Sequence, residues 1–429
     1  MATVGVKRTT PSSFIKKIAL AIVVCFILCG SQPARAQQAQ PQDERETIRQ
    51  LLRRIDELEA RLKAVEAKQG SASAQPAEAT GAAPAPKHED AGEQAQSGHG
   101  MGLPADSPSL RMHGFADVGY HASDLKGESN SFALGQFDLF ITSRLSEKFS
   151  ALAEMVIEAD DRNAFGVELE RFLLQYSAND YFKLAVGRFH TAIGYYNTAF
   201  HHGTWFQTAT GRPFLFAFED EGGILPIHNV GISASGRIPS GGLGLNYIAE
   251  VGNGRASRSR FDEPVQNVID ENNGKAFNVG LITRPRKLDG FQAGFTVYRD
   301  HLTPDGLPRI GQTIMAGHIV YQTPEVEFLN EALVVRHALT GSNRVFNTPG
   351  FYTQLSRRFG KARPYFRYQY VNAPGDDPII GDVGRRNGPS VGLRYDVSEF
   401  AALKIQYDRT ARRNLDAING IGFQLAFTF

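Results

Sequence analysis

The last nine residues of this 429-residue chain are Ile421-Gly422-Phe423-Gln424-Leu425-Ala426-Phe427-Thr428-Phe429. The odd-numbered positions of this stretch are all large and apolar, whereas the even-numbered positions are small or polar. Because successive side chains of a β-strand point to opposite faces, a period of two predicts a strand with one wholly apolar face. That face has to be covered, either by the core of a soluble β-protein or by lipid.

The same alternation recurs upstream, from about residue 110 onwards. It is clearest in six further segments: Phe137–Ile141, Phe149–Ile157, Phe277–Leu281, Phe366–Tyr370, Val391–Val397 and Leu403–Tyr407. Beyond the extreme N-terminus there is no run of the roughly 20 apolar residues that a membrane helix needs. A membrane-spanning structure would therefore consist of strands.

The connections between these segments fall into two alternating classes. The short class comprises 146–148, 178–180, 359–362 and 398–399. The long class, rich in charge or glycine, comprises 191–226, 252–275 and 374–388. Short turns on one side and long loops on the other are typical of an up-and-down membrane barrel.

Counting segments predicts an all-β fold, an antiparallel transmembrane β-barrel of about sixteen strands over residues 110–429. Both ends of such a barrel lie on the side of the short turns. The inward and outward faces of the strands are ambiguous around 305–345. Sixteen strands leave an aqueous lumen, whereas eight would be filled by side chains.

The first 36 residues have the three parts of a secretory signal peptide. Basic residues between Lys7 and Lys17 precede an apolar run, Ile18–Leu28, and the small-x-small triplet Ala34-Arg35-Ala36 forms a cleavage site. We expect residues 1–36 to be removed. Both cysteines of the sequence, Cys25 and Cys29, belong to this segment, so the exported protein has no thiol for disulfides or catalysis.

Residues 37–69 are predicted to contain a short coiled-coil helix. Six apolar side chains recur at alternating steps of three and four, as in a coiled-coil seam: Ile48, Leu51, Ile55, Leu58, Leu62 and Val65. Two segments, Arg54–Glu59 and Arg61–Glu66, resemble the Arg-h-x-x-h-Glu pattern of trimeric coiled coils, where h is apolar. We predict a trimerisation helix, with a dimer or an isolated helix as alternatives. Residues 70–109, rich in Ala, Pro, Gly and Gln, are predicted to be a flexible linker.

Together, the signal peptide, the trimer helix, the linker, the strands and the terminal Phe429 resemble the trimeric porins of Gram-negative bacteria. The likeness is greatest to the phosphate-selective and dicarboxylate-type porins that carry an N-terminal periplasmic coiled coil. The resemblance implies an outer-membrane homotrimer, with its coiled coil in the periplasm, surrounded by membrane lipid and lipopolysaccharide. It also implies that the barrel-assembly machinery reads Phe429. In the periplasm the coiled coil would strengthen the trimer or act as a spacer towards peptidoglycan.

The function implied by this resemblance is passive diffusion of small hydrophilic solutes, anionic or neutral, through the lumen. No cofactor or metal is expected, and a net charge of +1 does not point to nucleic acid. The alternatives are a structural tether and a barrel enzyme such as a lipase. A tether would suit an eight-stranded barrel better, and no Gly-x-Ser-x-Gly motif occurs. We therefore predict no enzymatic activity.

The strand faces opposite the apolar ones supply candidates for charged side chains that line the pore. These are Arg144, Arg171, Lys183, Arg358, Arg367, Arg394, Lys404, Asp138 and Glu154. Residues 111–280 contain 14 basic and 20 acidic side chains, whereas residues 281–429 contain 19 and 13. An acidic early wall opposite a basic later wall would set a transverse field, with a mild anion preference if the basic wall dominates the narrowest point. The alternative is that these charges are simply solvated.

The longest connection, 191–226, falls between the fifth and sixth predicted strands, where the resemblance places a loop that folds inward and narrows the pore. Its segment Phe218–Gly223 resembles the acidic, glycine-containing tip of such loops, so the constriction candidates are Glu219, Asp220 and Glu221. The alternative is a surface loop that contacts lipopolysaccharide or a neighbouring subunit. Four histidines lie in or near this connection, but without supporting carboxylates they do not predict a metal site: His190, His201, His202 and His228.

Deleting residues 43–68 should lower the thermal stability of the trimer, because it removes the predicted coiled-coil seam. The measurement is the melting temperature of the SDS-resistant trimer on gels. An unchanged melting temperature would show that the helix does not hold the subunits together.

Overall fold

The computed structural model describes residues 109–159, 163–200, 203–218, 222–255 and 268–429. The predicted signal peptide, the trimerisation helix with its seam, and the linker up to residue 108 lie outside these ranges. The constriction candidates Glu219, Asp220 and Glu221 also lie outside them. No helix among the described residues is long and apolar enough to cross a membrane.

Sixteen β-strands follow one another along the part of the chain that the structure describes. They are β1 (Ser109–Ser123), β2 (Ser131–Arg144), β3 (Phe149–Ala159), β4 (Phe165–Asn179), β5 (Phe182–His190), β6 (His228–Arg237), β7 (Leu245–Gly252), β8 (Ala276–Thr283), β9 (Phe291–Leu302), β10 (Ile310–Gln322), β11 (Val326–Leu339), β12 (Val345–Arg357), β13 (Ala362–Asn372), β14 (Arg385–Asp396), β15 (Ala401–Arg412) and β16 (Leu415–Thr428). One short helix, α1 (Tyr196–Ala199), and four 3₁₀ turns, Thr204–Phe206, Phe214–Phe216, Gly241–Leu243 and Gly381–Val383, interrupt the connections.

Each strand pairs antiparallel with its neighbours in sequence, and β1 pairs with β16, so the sheet is a closed barrel. This confirms the predicted fold class and the count of sixteen strands. Closure pairs the edge strands and leaves no open sheet edge.

The two faces of the strands follow the predicted alternation. On β8, the outward side chains Phe277, Val279 and Leu281 are 57%, 62% and 48% exposed, whereas the inward Ala276 and Asn278 are buried. The same division holds on the last strand, where Phe423 and Leu425 are exposed and Gln424 and Ala426 are buried. The outside of the barrel is therefore an apolar surface of the kind that a bilayer covers.

The predicted alternation of short and long connections is only partly confirmed. Every connection after an even-numbered strand is short: 145–148, 180–181, 238–244, 284–290, 323–325, 358–361 and 397–400. After odd-numbered strands, 191–227, 253–275 and 373–384 are long, but 303–309, 340–344 and 413–414 are as short as the turns. The expectation of uniformly long loops on that side was wrong, because in those places two strands continue almost to the end of the hairpin.

The ambiguous region around 305–345 forms two long strands, β10 and β11. Their inward faces are largely apolar and buried, for example at Ile314 and Val320 of β10 and at Leu329 and Leu333 of β11. The alternation is unclear in the sequence because this wall of the barrel packs against protein on its inner side.

The chain end closes the barrel through a tight backbone contact with β1. Gly114 N–H donates to the carbonyl oxygen of Phe429 (2.8 Å), and Phe429 N–H donates to the carbonyl oxygen of Gly114 (2.9 Å). The Phe429 ring lies over Gly114, where an added Cβ would lie 2.3 Å from two ring carbons. The Phe137 ring is 5.7 Å from that of Phe429, between centroids.

Gly114→Val should destabilise the barrel by about 1–3 kcal/mol, because its side chain would displace the Phe429 ring. The measurement is the urea midpoint for loss of the heat-modifiable band on gels. Gly166→Val is the matched control, since a Cβ at Gly166 on β4 would meet nothing within 4 Å. Equal effects of the two substitutions would contradict the role of the Gly114–Phe429 contact.

Candidate functional site

The connection 191–227 between β5 and β6 folds into the interior of the barrel. The backbone N–H groups of Tyr195 and Tyr196, at the start of α1, donate to the Glu331 carboxylate of β11 at 2.5 Å and 2.9 Å. The Tyr352 hydroxyl of β12 donates to the same carboxylate (2.7 Å). We call the whole connection 191–227 the inner loop. One inward-facing glutamate, Glu331, thus holds the first part of the inner loop against the opposite wall.

The Tyr195 side chain adds a further contact with the wall. Its hydroxyl donates to the side-chain oxygen of Gln322 at the end of β10 (2.7 Å). Burial, together with the charges of Glu327 and Glu331, raises the pKa of Tyr195 to about 12. The hydroxyl therefore stays protonated and remains a hydrogen-bond donor at any physiological pH.

Three of the predicted pore-lining cations hold the middle of the inner loop. Lys404 Nζ donates to the carbonyl oxygens of Thr204 (2.6 Å) and Ala209 (3.1 Å). Arg367 donates to the carbonyl oxygen of Gly211 (2.9 Å). Both cations face inward, as the sequence indicates, but they are only 3% and 1% exposed. They are covered by the loop and do not face open water.

Arg394 of β14 is the third of these cations. Its guanidinium donates to the carbonyl oxygens of Trp205 (2.6 Å) and Gln207 (3.1 Å), and it lies 4.9 Å from the centre of the Trp205 ring. It also contacts Asp396 on the same strand (2.7 Å). Buried cations require hydrogen-bond acceptors, and here the loop backbone supplies them.

Two glutamates of β11 were missed at the sequence level. Glu331 binds the start of the inner loop, and Glu327 accepts hydrogen bonds from the Thr208 hydroxyl (3.1 Å) and from the Gln354 side-chain amide (2.6 Å). Both alternate with the apolar inward residues Leu329 and Leu333. Acidic residues within an otherwise apolar inward face were the available signal, since a buried carboxylate needs donors nearby.

Apolar packing joins the inner loop to the same wall. Side chains of the loop, including Tyr196, Leu215 and Phe216, belong to one buried cluster with inward side chains of β10 to β13. The rings of Tyr196 and Phe216 are stacked at 5.6 Å, and both meet the Tyr352 ring edge-on. This side of the lumen is therefore filled by a protein core.

The acidic candidates Asp138 and Glu154 are buried on the inward faces of β2 and β3. Arg171 of β4 forms an ion pair with Glu154. A β-bulge at this point places Glu170 inward beside Arg171, since the pairing of β3 with β4 skips one residue. Glu170 lies 2.8 Å from the Nε2 atom of His228.

The other basic candidates lie close to the short turns. Arg144 lines a polar cavity of about 380 Å³ together with Arg111, Glu147 and Lys148. Lys183 is inward and half-buried at the start of β5. Arg358 lies in the turn 358–361, not within a strand, and it contacts Asp396 at 2.6 Å. β12 ends one residue earlier, at Arg357, so Arg358 begins the turn, and its role in lining the pore stays a prediction.

The predicted separation of charge is seen only on the early strands. Buried charged side chains on these strands are mostly acidic: Asp117, Asp138, Glu154, Glu170 and Glu250, with one cation, Arg188. The late strands hold both signs, with the cations Arg367 and Lys404 and the acids Asp300, Glu327 and Glu331. The two glutamates of β11 contact the start and middle of the inner loop. These acids have backbone and side-chain donors as partners, and the late cations have loop carbonyl oxygens.

The histidines of this region do not form a recognisable metal centre among the described residues. His190 and His228 lie edge to face with ring centroids 5.0 Å apart, and the Nδ1 atom of His190 is 2.9 Å from the carbonyl oxygen of Asn197. Within the ranges that the structure describes, no group of three or more His, Cys, Asp or Glu side chains could hold a metal ion. His201 and His202 lie outside these ranges.

Three solved structures share this architecture. An anion-selective porin from Comamonas acidovorans superposes with a TM-score of 0.52 and 11% identity, covering 75% of this chain and all of the porin. OmpF of Salmonella typhi, in complex with daunomycin, gives 0.51 and 13%, covering 76% and 99%. The outer-membrane channel DcaP of Acinetobacter baumannii gives 0.50 and 10%, with the same coverage.

The chain has the fold of the outer-membrane porins. At these identities the likeness concerns the fold alone. No family model matches the sequence, and no curated protein matches it. The porin fold of this chain is thus identified by its sixteen paired strands, and its function has to be argued from its own residues.

Arg394→Gln should loosen the middle of the inner loop, because it removes two charge-assisted hydrogen bonds and the contact with Trp205. Trp205 is the single tryptophan of the chain, so its fluorescence reports on this segment alone. We expect a red-shifted emission and stronger quenching by acrylamide. The matched control is Arg385→Gln on the same strand, whose guanidinium lies 5.9 Å from the Tyr370 ring. Unchanged emission in the Arg394 variant would contradict the anchoring role.

Proposed function

We propose that this protein is an outer-membrane porin that allows passive diffusion of small hydrophilic solutes. The observation that carries the proposal is the inner loop, held by buried polar contacts inside a wide barrel whose outer surface is apolar. A sixteen-stranded barrel is too wide for its own side chains to fill. A loop fastened to one side of the lumen narrows the passage while its other side remains available for water.

The outer membrane is the proposed location because the barrel presents large apolar side chains outward and a predicted signal peptide precedes it. In the same proposal, the trimerisation helix lies in the periplasm and joins three barrels. Phe429 is then the residue read by the barrel-assembly machinery. Its contact with Gly114 supports a second role, as the residue that completes closure.

We also propose a mild anion preference. The hydrogen-bond partners of Arg367 and Lys404 are carbonyl and amide oxygens, and neither side chain forms an ion pair with a carboxylate among the described residues. Charges held behind a thin layer of loop backbone still contribute to the potential in the adjacent lumen. Glu327 and Glu331 act in the opposite direction, which keeps the expected preference small.

Transport is favoured over catalysis by the surroundings of the one buried His–Asp pair in the described structure. His337 Nδ1 lies 2.8 Å from Asp377, as in a catalytic dyad, but its Nε2 atom faces the Gln312 side-chain oxygen at 3.0 Å. Both the histidine and the aspartate are fully buried. A nucleophile would have to occupy the position of Gln312, so this pair fastens the connection 373–384 to the wall.

In planar bilayers under a salt gradient, the purified protein should form open channels. Their reversal potential should be shifted slightly towards the equilibrium potential of the anion. Arg367→Gln with Lys404→Gln should reduce or reverse this shift, because two inward-facing basic side chains are removed. Arg237→Gln is the control, since Arg237 is exposed and pairs with Asp180 at a turn. Absence of channels would refute the porin assignment, whereas cation selectivity unaffected by the double substitution would refute only the anion preference.

A further inference from the structure

Two arginines face outward on the barrel wall with one threonine between them. Arg299 of β9 and Arg336 of β11 are both register partners of Thr313 on β10. Their sequence neighbours Tyr298, Asp300, Val335 and His337 are buried on the inward face, so the two arginines point away from the lumen. Since adjacent strands lie about 4.8 Å apart, the two Cα atoms are separated by roughly 10 Å.

The ends of β9 and β11 show how far Arg299 and Arg336 lie from the rim of the barrel. Arg299 lies three residues before the end of β9 at Leu302, and Arg336 lies three residues before the end of β11 at Leu339. Both strands end on the side opposite the short turns. The outward residues next to the pair on the turn side are apolar, among them Val297 and Met315. The arginines therefore sit at the upper border of the apolar belt.

Within the described residues, no hydrogen bond, ion pair or ring contact involves the side chain of Arg299 or Arg336. Other outward arginines near the same rim are partnered: Arg409 donates to the Asn419 side-chain oxygen (3.1 Å), and Arg385 lies over the Tyr370 ring. Arg299 and Arg336 thus differ from Arg409 and Arg385, because their outward guanidiniums have no partner within the described residues.

On the turn side of the two arginines, the outer surface of the barrel contains a shallow apolar groove. It has a volume of about 610 Å³, and its outward lining includes Ala293, Phe295, Gly317, Ile319 and Ala332. Gly317 lies on β10 four residues from Thr313 and is the register partner of both Phe295 and Ala332. At the rise of a β-strand, Gly317 in the groove and Thr313 between the two arginines are about 13 Å apart along β10.

We propose that Arg299 and Arg336 bind the phosphate group of a lipid in the leaflet on the loop side, with an acyl chain of that lipid lying in the Gly317 groove. An arginine on a lipid-facing surface costs about 2–4 kcal/mol at the midplane and little near the interface, where anionic headgroups are available. Two guanidiniums on either side of a threonine hydroxyl match the several oxygens of a phosphate. In the proposed outer-membrane location, on which this inference rests, the phosphorylated lipid of that leaflet is lipopolysaccharide.

The experiment titrates the purified full-length protein in detergent with lipid A and measures binding by native mass spectrometry. Arg299→Gln with Arg336→Gln should weaken binding roughly 25-fold, because each basic side chain near anionic lipid contributes a factor of about five. Arg409→Gln, the control, should bind as the unmodified protein does. Equal affinity of the double variant and the unmodified protein would overturn the proposal.

Two further arms separate a lipid site from a site for free anions. Inorganic phosphate at millimolar concentration should not displace lipid A, and full displacement would show a free-phosphate site and overturn the lipid assignment. Gly317→Leu should also weaken lipid A binding, since its side chain would fill the groove. An added Cβ at Gly317 would lie 3.8 Å from the Phe295 ring, in ordinary contact, so the barrel accommodates this change.

Lipid A binding and channel conductance, measured separately, distinguish this proposal from the porin assignment. Both arginines face away from the lumen, so the double variant should keep the channel conductance of the unmodified protein. Loss of lipid A binding with unchanged conductance supports the site. Unchanged lipid A binding refutes it without bearing on the pore.

Discussion

Closure of the sheet between β1 and β16 is the constraint on which the rest of this structure depends. In a bilayer an open sheet edge would leave backbone groups without partners, and only a closed barrel or a helix avoids that cost. With sixteen strands, closure creates an interior that the inward side chains alone cannot fill. The apolar outer face, the inward loop and the polar inner contacts all follow from this geometry.

The inner loop occupies part of the wide interior of the barrel and packs against its wall. Along β10 to β13 the loop contributes to a dry apolar core, and along β11 to β15 it is held by glutamates, arginines and a lysine that would otherwise be solvated. Most of these hydrogen bonds run between a charged side chain and the loop backbone. The position of the loop therefore depends on the wall residues more than on the identity of the loop side chains.

Patterns with a period of two predicted most of the fold correctly. The faces of β8 and β16 followed from alternation alone, because one face is wholly apolar over Phe277–Leu281 and over Ile421–Phe427. On β10 and β11 the alternation is ambiguous, because packing against the inner loop makes the inward face apolar as well. Sequence periodicity reports whether a face is buried, and it does not distinguish lipid from a protein core.

The candidate site was predictable to a smaller extent. Arg367, Arg394 and Lys404 were identified as inward residues, but their attachment to the loop depends on contacts across some 160 to 200 positions of sequence, which no local pattern contains. Glu327 and Glu331 were missed for the same reason. The acidic segment 219–221 lies outside the described residues, so its role at the constriction stays a prediction.

The most direct test of a water-filled passage beside a fastened loop is the single-channel conductance of a variant in which residues 204–211 are replaced by two glycines. This replacement removes the backbone segment held by Lys404, Arg394 and Arg367 while leaving all sixteen strands intact. We expect discrete channels for the unmodified protein and a larger conductance for the variant. Equal conductance of the two proteins would show that the inner loop does not limit the passage, which contradicts the proposed role of the loop.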